Sequence, residues 1–177
     1  IHLGGNMLGL TAKELTQEFE MIHALRPRIG KPVVHLVGAF APEDRLSDEE
    51  MLEVANRYLI AQGYGNTLFT VWRHLDGTTN HFHAVTCAID LNGRPISQSF
   101  ERYKTKRTCR KLERKFGLRE VPNVACPKAD PPPPPPKDAP DGLDVEIPSV
   151  GTEVADFFSR LIRQALPTAS TFADLAR

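Results

Sequence analysis

Two stretches, TLFTVWRH (Thr67–His74) and HFHAVTCAI (His81–Ile89), decide how this chain folds. Both are dense in β-branched and aromatic residues, the composition that suits a half-buried pleated surface. Each reads as a strand, and the short Leu75–Asn80 connection between them implies an antiparallel hairpin. Alternate side chains of a strand share a face. His81 and His83 therefore point the same way, with Val85, Cys87 and Ile89 continuing that face inward. His74 ends the neighbouring strand, a short hairpin away, and can come alongside them.

Upstream of the hairpin, Thr11-Ala-Lys-Glu14 is a capping-box pattern followed by Leu15, Phe19, Ile22 and Leu25 at helical spacing. That helix should stop by Arg26, because Pro27 disfavours helical geometry in its predecessor. Pro32 to Phe40 (PVVHLVGAF) is a short valine-rich run and reads as a buried strand. Ser47-Asp-Glu-Glu50 is a second capping box, opening a helix through Met51, Leu52, Val54, Ala55, Tyr58 and Leu59, with Gly63 as its stop. Downstream, Asp90-Leu-Asn-Gly93 is a turn leading into a brief extended piece. From about Arg102 to Phe116 the pattern is helical again, with Cys109, Leu112 and Phe116 on one face and Gly117 ending it. Helices and strands mix, with at least one antiparallel pair, so the class is α+β: a central antiparallel sheet flanked by helices.

Pro131 to Pro136 is an unbroken proline run, which only an extended polyproline linker accommodates. It divides the chain into a core over residues 1–120, a proline-rich linker over 121–149 and a helical start of a following region over 150–177. Two helices are expected in that last part, Val150–Leu166 and Ser170–Ala176. The chain starts at Ile1 and stops at Arg177 mid-pattern, so a partial gene product or excised domain is expected.

At 177 residues, 41% hydrophobic and 25% charged, the chain has the make-up of an ordinary globular protein. It has no run of 18 apolar residues and no secretory start, which points to a cytoplasmic protein without a membrane span. Its three cysteines, Cys87, Cys109 and Cys126, are widely spaced and outside any CxxC, so they read as reduced thiols. The net charge is zero, yet Glu101–Glu120 holds nine Lys or Arg against three Glu, +6 locally against −6 elsewhere. A local basic element on a neutral protein fits a site-directed DNA binder, and it also fits a solvated helix.

Three imidazoles converging from two adjacent strands make a metal site with open positions, the mark of a catalytic ion. Asp76, in the connecting loop, is close enough to accept the far N–H of one histidine and fix its tautomer. The bland alternative is that a His-x-His pair is satisfied surface or core. Half of the six histidines falling within one ten-residue window weighs against it. Trp72, Phe82 and Phe69 read as core. His35, mid-strand in an apolar run, reads as a buried, hydrogen-bonded side chain, with a supporting place beside the metal as the alternative. His2 and His23 have no evident partner.

The run His74-Leu-Asp-Gly-Thr-Thr-Asn-His81-Phe-His83 resembles the third motif of mobilisation relaxases in the HUH endonuclease superfamily, H-x-D-x4-H-x-H. Asn6-Met-x-Gly9, Pro32-Val-Val-His35 and Cys109-Arg-x-Leu-Glu113-x3-Gly117-Leu118 fall in the order of that family's flanking segments. The resemblance covers roughly residues 5–120. It implies a five-stranded antiparallel sheet holding one divalent ion (Mg²⁺ or Mn²⁺, with Zn²⁺ or Ni²⁺ as alternatives). It also implies nicking of single-stranded DNA at an origin of transfer by a tyrosine, alongside accessory mobilisation proteins in a bacterial cell. Carried over by position, His74, His81 and His83 are metal ligands and Asp76 the orienting carboxylate. Arg102, Lys106, Arg107, Arg110, Lys111 and Arg114 supply phosphate contacts.

Two departures stand out. Cys87 occupies a place where the family often has Asn. The family's nucleophilic tyrosine belongs to a motif upstream of Asn6, and Tyr58, Tyr64 and Tyr103 do not match it. The nucleophile is therefore expected to be missing, leaving a chain that binds metal and DNA but nicks poorly. Rival readings are a metal-dependent hydrolase using an ion-bound water, and a non-catalytic DNA-binding module.

Overall fold

The helices begin where the sequence provides caps. In the computed structural model, which describes residues 1–75, 80–99 and 101–120, α1 (Ala12–Ala24) opens on Thr11. The Glu14 carboxylate accepts from the Thr11 N–H at 2.9 Å while the Thr11 hydroxyl accepts from the Glu14 N–H. Ser47 and Glu50 do the same for α2 (Asp48–Gln62), which closes on Gly63 at φ 97°, a left-handed conformation that glycine adopts without steric cost. α3 (Glu101–Phe116) ends before Gly117 in the same way.

Four strands form one antiparallel sheet: β1 (His2–Gly5), β2 (Val33–Ala39), β3 (Phe69–His74) and β4 (His81–Cys87), in the order β1-β3-β4-β2. The fold is thus α+β with the expected hairpin at its centre. Among the described residues the sheet has four strands rather than five. β1 was not foreseen, since HLGG carries little strand propensity; it is held by pairing with β3. The linker and the two helices expected after residue 120 lie outside the described residues.

Antiparallel pairing sets which side chains share a face. His74 lies opposite His81, Trp72 opposite His83 and Thr70 opposite Val85, so these six share one face. Val71, Phe82 and Ala84 share the other. There they join Met51, Val54 and Leu59 of α2 and Leu112 of α3 in the buried core. Burying aliphatic and aromatic side chains contributes about 1.5–3 kcal/mol each, so this layer holds the sheet flat against α2 and α3.

The histidine face is covered only in part. Leu15 and Phe19 of α1 face Val33, Trp72 and Val85 across a groove of about 450 Å³. Trp72 is accordingly half-buried beside this groove rather than in the core; Phe82 is core, and Phe69 is half-buried against it.

β2 is an edge strand, not a buried one. Val33 and Val37 are 45% and 56% exposed, and His35 between them is also exposed. Val34 and Leu36 alone turn toward the core, each half-buried. An apolar run does not reveal which sheet position it will occupy, and that is why the expectation of a buried strand failed.

The segment before α1 is tied down by polar contacts. Asn6 donates through Nδ2 to the Thr67 carbonyl at 2.7 Å and accepts from the Phe69 N–H at 2.7 Å. The Gly9 and Leu8 N–H groups both donate to the buried Glu18 carboxylate. A Cβ at Gly9 would fall 2.7 Å from the Glu14 Cβ, so this approach requires glycine.

Candidate metal centre

The hairpin mouth is clamped from below. Arg73, whose side chain lies on the core face between Trp72 and His74, donates to Asp48 Oδ1 at 2.5 Å, to Asn80 Oδ1 at 2.7 Å and to the Leu46 carbonyl at 3.3 Å. One guanidinium thus links the end of β3, the residue before His81 and the start of α2. A planar fork with several donors suits this task better than a lysine. The Phe40 N–H adds a bond to the Asn80 carbonyl at 2.9 Å, joining the end of β2 to the same point.

On the other face, His74, His81 and His83 come together. Their ring centroids are 3.9 Å apart for His74–His83 and 5.3 Å for both His74–His81 and His81–His83. One ring nitrogen from each lies within 4.8 Å of the others. Nitrogens sharing an ion at ~2.1 Å sit about 3 Å apart, so small side-chain rotations close the triad onto one cation. The donor set fits a divalent transition metal, which His74, His81 and His83 would hold through three imidazole nitrogens. His74 is exposed and the other two half-buried, consistent with an ion reachable by a large substrate. Asp76 lies outside the described residues.

His35 proves to be a member of this group. Its Nε2 is 2.7 Å from His83 Nδ1, and the two rings stack at 4.9 Å with planes 16° apart. The expectation of a buried His35 is overturned: it is exposed on edge strand β2, where β4 brings His83 within reach. His2 also gains a partner, packing on Trp72 at 4.6 Å with its Nε2 3.0 Å from Thr70 Oγ1. A place for His35 beside the three histidines was the alternative the sequence left open, but the partner itself, like that of His2, is set by strands distant along the chain.

The basic helix is not on this face. α3 packs through Leu112 and Thr108 beneath the opposite side, where Gln62 donates to Thr108 at 3.2 Å. Arg102, Lys106 and Arg110 line a groove of about 630 Å³ between α3 and the edge of β2. Arg110 is bound to Glu113 at 2.6 Å and to Glu120 at 3.1 Å, and Arg114 donates to the Arg110 carbonyl. Arg107 is exposed and Lys111 half-buried. Arg102, Lys106 and Arg110 thus lie across the sheet from the histidines and approach them only around β2.

The tyrosines also lie away from the triad. The Tyr58 hydroxyl sits 3.0 Å from Thr105 Oγ1 between α2 and α3, and Tyr64 is 4% exposed in the core. Burial pushes both phenols above their ordinary range, the reverse of what an attacking phenolate needs. Tyr103 is exposed on α3. Cys87 is fully buried opposite Val33, with burial raising its thiol, and acts as a packing residue.

The relaxase family model described as MobA/VirD2-like, nuclease domain, matches residues 1–118. No curated protein and no solved structure matches the chain. Among the described residues, no helix is long and apolar enough to cross a membrane.

Proposed function

The chain belongs to the MobA/VirD2-like relaxase nuclease family, and from that premise we propose that it is the metal-holding part of an enzyme that nicks single-stranded DNA at an origin of transfer, with the divalent ion held by His74, His81 and His83 and the attacking tyrosine supplied from outside these 177 residues. The observation that carries the reading is the convergence of those three imidazoles at the loop end of a clamped hairpin. When bound, the ion supplies Lewis-acid charge to the non-bridging oxygens of the scissile phosphate. Mg²⁺ or Mn²⁺ is the ion proposed for the cell because availability decides there, while three imidazoles by themselves favour Mn²⁺, Zn²⁺ or Ni²⁺.

The chain's own residues hold and flank that site. The Arg73 clamp keeps β3 and β4 in register, so the ligands are presented on rigid strands rather than loops. Asp76 is proposed to orient one imidazole. Arg102, Lys106, Arg107, Arg110, Lys111 and Arg114 are proposed to engage phosphates flanking the nick where the strand passes the β2 edge. A tyrosine oxygen attacks phosphorus and the P–O3′ bond breaks. The leaving oxygen takes a proton to become a 3′ hydroxyl, and the 5′ phosphate stays esterified to the protein. The position and burial of Tyr58 and Tyr64, and the exposed place of Tyr103 on α3, support a nucleophile other than these three.

In this reading residues 1–120 are the catalytic unit, residues 121–149 a linker and residues 150–177 the start of a following region. The protein acts in the bacterial cytoplasm, with accessory mobilisation proteins as partners.

The test is incubation of the full gene product with 3′-labelled single-stranded origin DNA and Mn²⁺. A covalent protein–DNA adduct is expected, abolished by chelator and by His81→Ala and retained when Tyr58, Tyr64 and Tyr103 are all changed to Phe. Cleavage without an adduct would replace the tyrosine by a bound water. Binding without cleavage would make the domain a DNA-binding module.

A further inference from the structure

We propose that His35 is a positioning residue for the metal centre, accepting a hydrogen bond from His83 Nδ1–H and so committing His83 Nε2 to the ion. This rests on the reading of His74, His81 and His83 as ligands. A neutral imidazole carries one N–H and one lone pair, and it can ligate only through the lone pair. Which nitrogen is available is set by the bond the other one makes.

The contact is specific to the fold. β2 pairs with β4 so that Val37 lies opposite His83 and His35 opposite Val85, one pair further along the same face. A diagonal neighbour on a sheet is within reach of a long or aromatic side chain. His35 uses that reach, placing Nε2 2.7 Å from His83 Nδ1 with the rings nearly parallel at 16°. The short separation and stacked planes hold the His83 ring against rotation about its χ2, and the hydrogen bond selects the tautomer. A turned His83 would aim a protonated nitrogen at the cation.

The pair lies at the surface, so competition from water weakens it relative to a buried second partner. The expected effect is therefore at the lower end of the 10- to 100-fold loss of metal affinity that follows removal of a residue orienting a ligand. Removing the side chain should not unfold the protein, since His35 is on the exposed face of an edge strand.

The test titrates Ni²⁺ into the 177-residue chain by calorimetry, with quenching of its single tryptophan, Trp72, as a second readout. His35→Ala should weaken Ni²⁺ binding about tenfold. His35→Gln, which restores an acceptor, should recover most of that loss. Nitrogen NMR of the metal-free protein should show His83 protonated at Nδ1 in the parent chain and as a tautomer mixture in His35→Ala. Unchanged affinity in His35→Ala overturns the proposal, and so does a His35→Gln variant as weak as His35→Ala, which would make His35 a direct ligand. His81→Ala is the control: if it binds Ni²⁺ like the parent, the metal reading itself fails. Loss in His81→Ala with none in His35→Ala defeats only the role of His35.

Discussion

Gly38→Ala should loosen the metal centre without touching a ligand. Gly38 of β2 lies directly opposite Phe82, the residue between His81 and His83. A Cβ at position 38 would stand 2.2 Å from Phe82 Cε1 and 2.4 Å from Cζ, whereas ordinary contact begins at 3.4 Å. The ring must therefore move by 3.4 − 2.2, or 1.2 Å. It has little room: Phe82 is 3% exposed, packed within the core and beside Phe40 at 6.0 Å between centroids. Overpacking of this kind costs about 1–3 kcal/mol. For a folded unit of this size, about 2 kcal/mol lowers the melting temperature by roughly 6–10 °C. Displacing Phe82 also shifts the β4 backbone from which His81 and His83 project, so Ni²⁺ affinity should fall together with stability. The assay is thermal melting and Ni²⁺ titration of four proteins: parent, Gly38→Ala, Phe82→Leu and the double variant. If the clash is the cause, the smaller leucine side chain relieves it, and the double variant should be more stable than the two single costs predict by at least about 1 kcal/mol. Additive costs, or a Gly38→Ala variant melting within about a degree of the parent, would refute the reasoning.

Two further outcomes follow from other parts of the molecule. Changing Arg102, Lys106 and Arg107 together to Ala should weaken single-stranded DNA binding equally for all sequences and make the salt dependence shallower by about 2, at ~0.7 per lost phosphate contact. Fluorescence anisotropy across a salt series checks this, and an unchanged slope would remove these three from the DNA surface. In α1, backbone N–H bonds from Thr11 and Leu10 hold the Glu14 carboxylate below its ordinary range. Its stabilising contribution is fully present above the unfolded carboxylate pKa and is lost as pH falls through the lower folded value. The stability gap between parent and Glu14→Ala, followed by urea denaturation from pH 7 to pH 3, should therefore shrink on acidification; a gap that is constant or widens contradicts the capping role.

What the sequence determined by itself was local. Both capping boxes, the Gly63 and Gly117 stops and the β3–β4 hairpin were legible because each depends on residues a few positions apart. The convergence of the three candidate ligands was legible for the same reason: a period of two and a short connection place His74, His81 and His83 on one face whatever surrounds them. The tertiary structure decided everything that depends on strand neighbours. It put the unpromising His2–Gly5 segment on one edge and β2 on the other, exposing Val37 and His35 where burial was expected. It brought His35 to His83 from 48 residues away and carried the basic helix to the opposite side of the sheet. The physical reason is that pairing energy is much the same for any strand with a suitable pattern, whereas partner and face follow from how all the apolar surfaces are buried together. The triad can be read from a decapeptide; the histidine that steadies it requires the whole sheet.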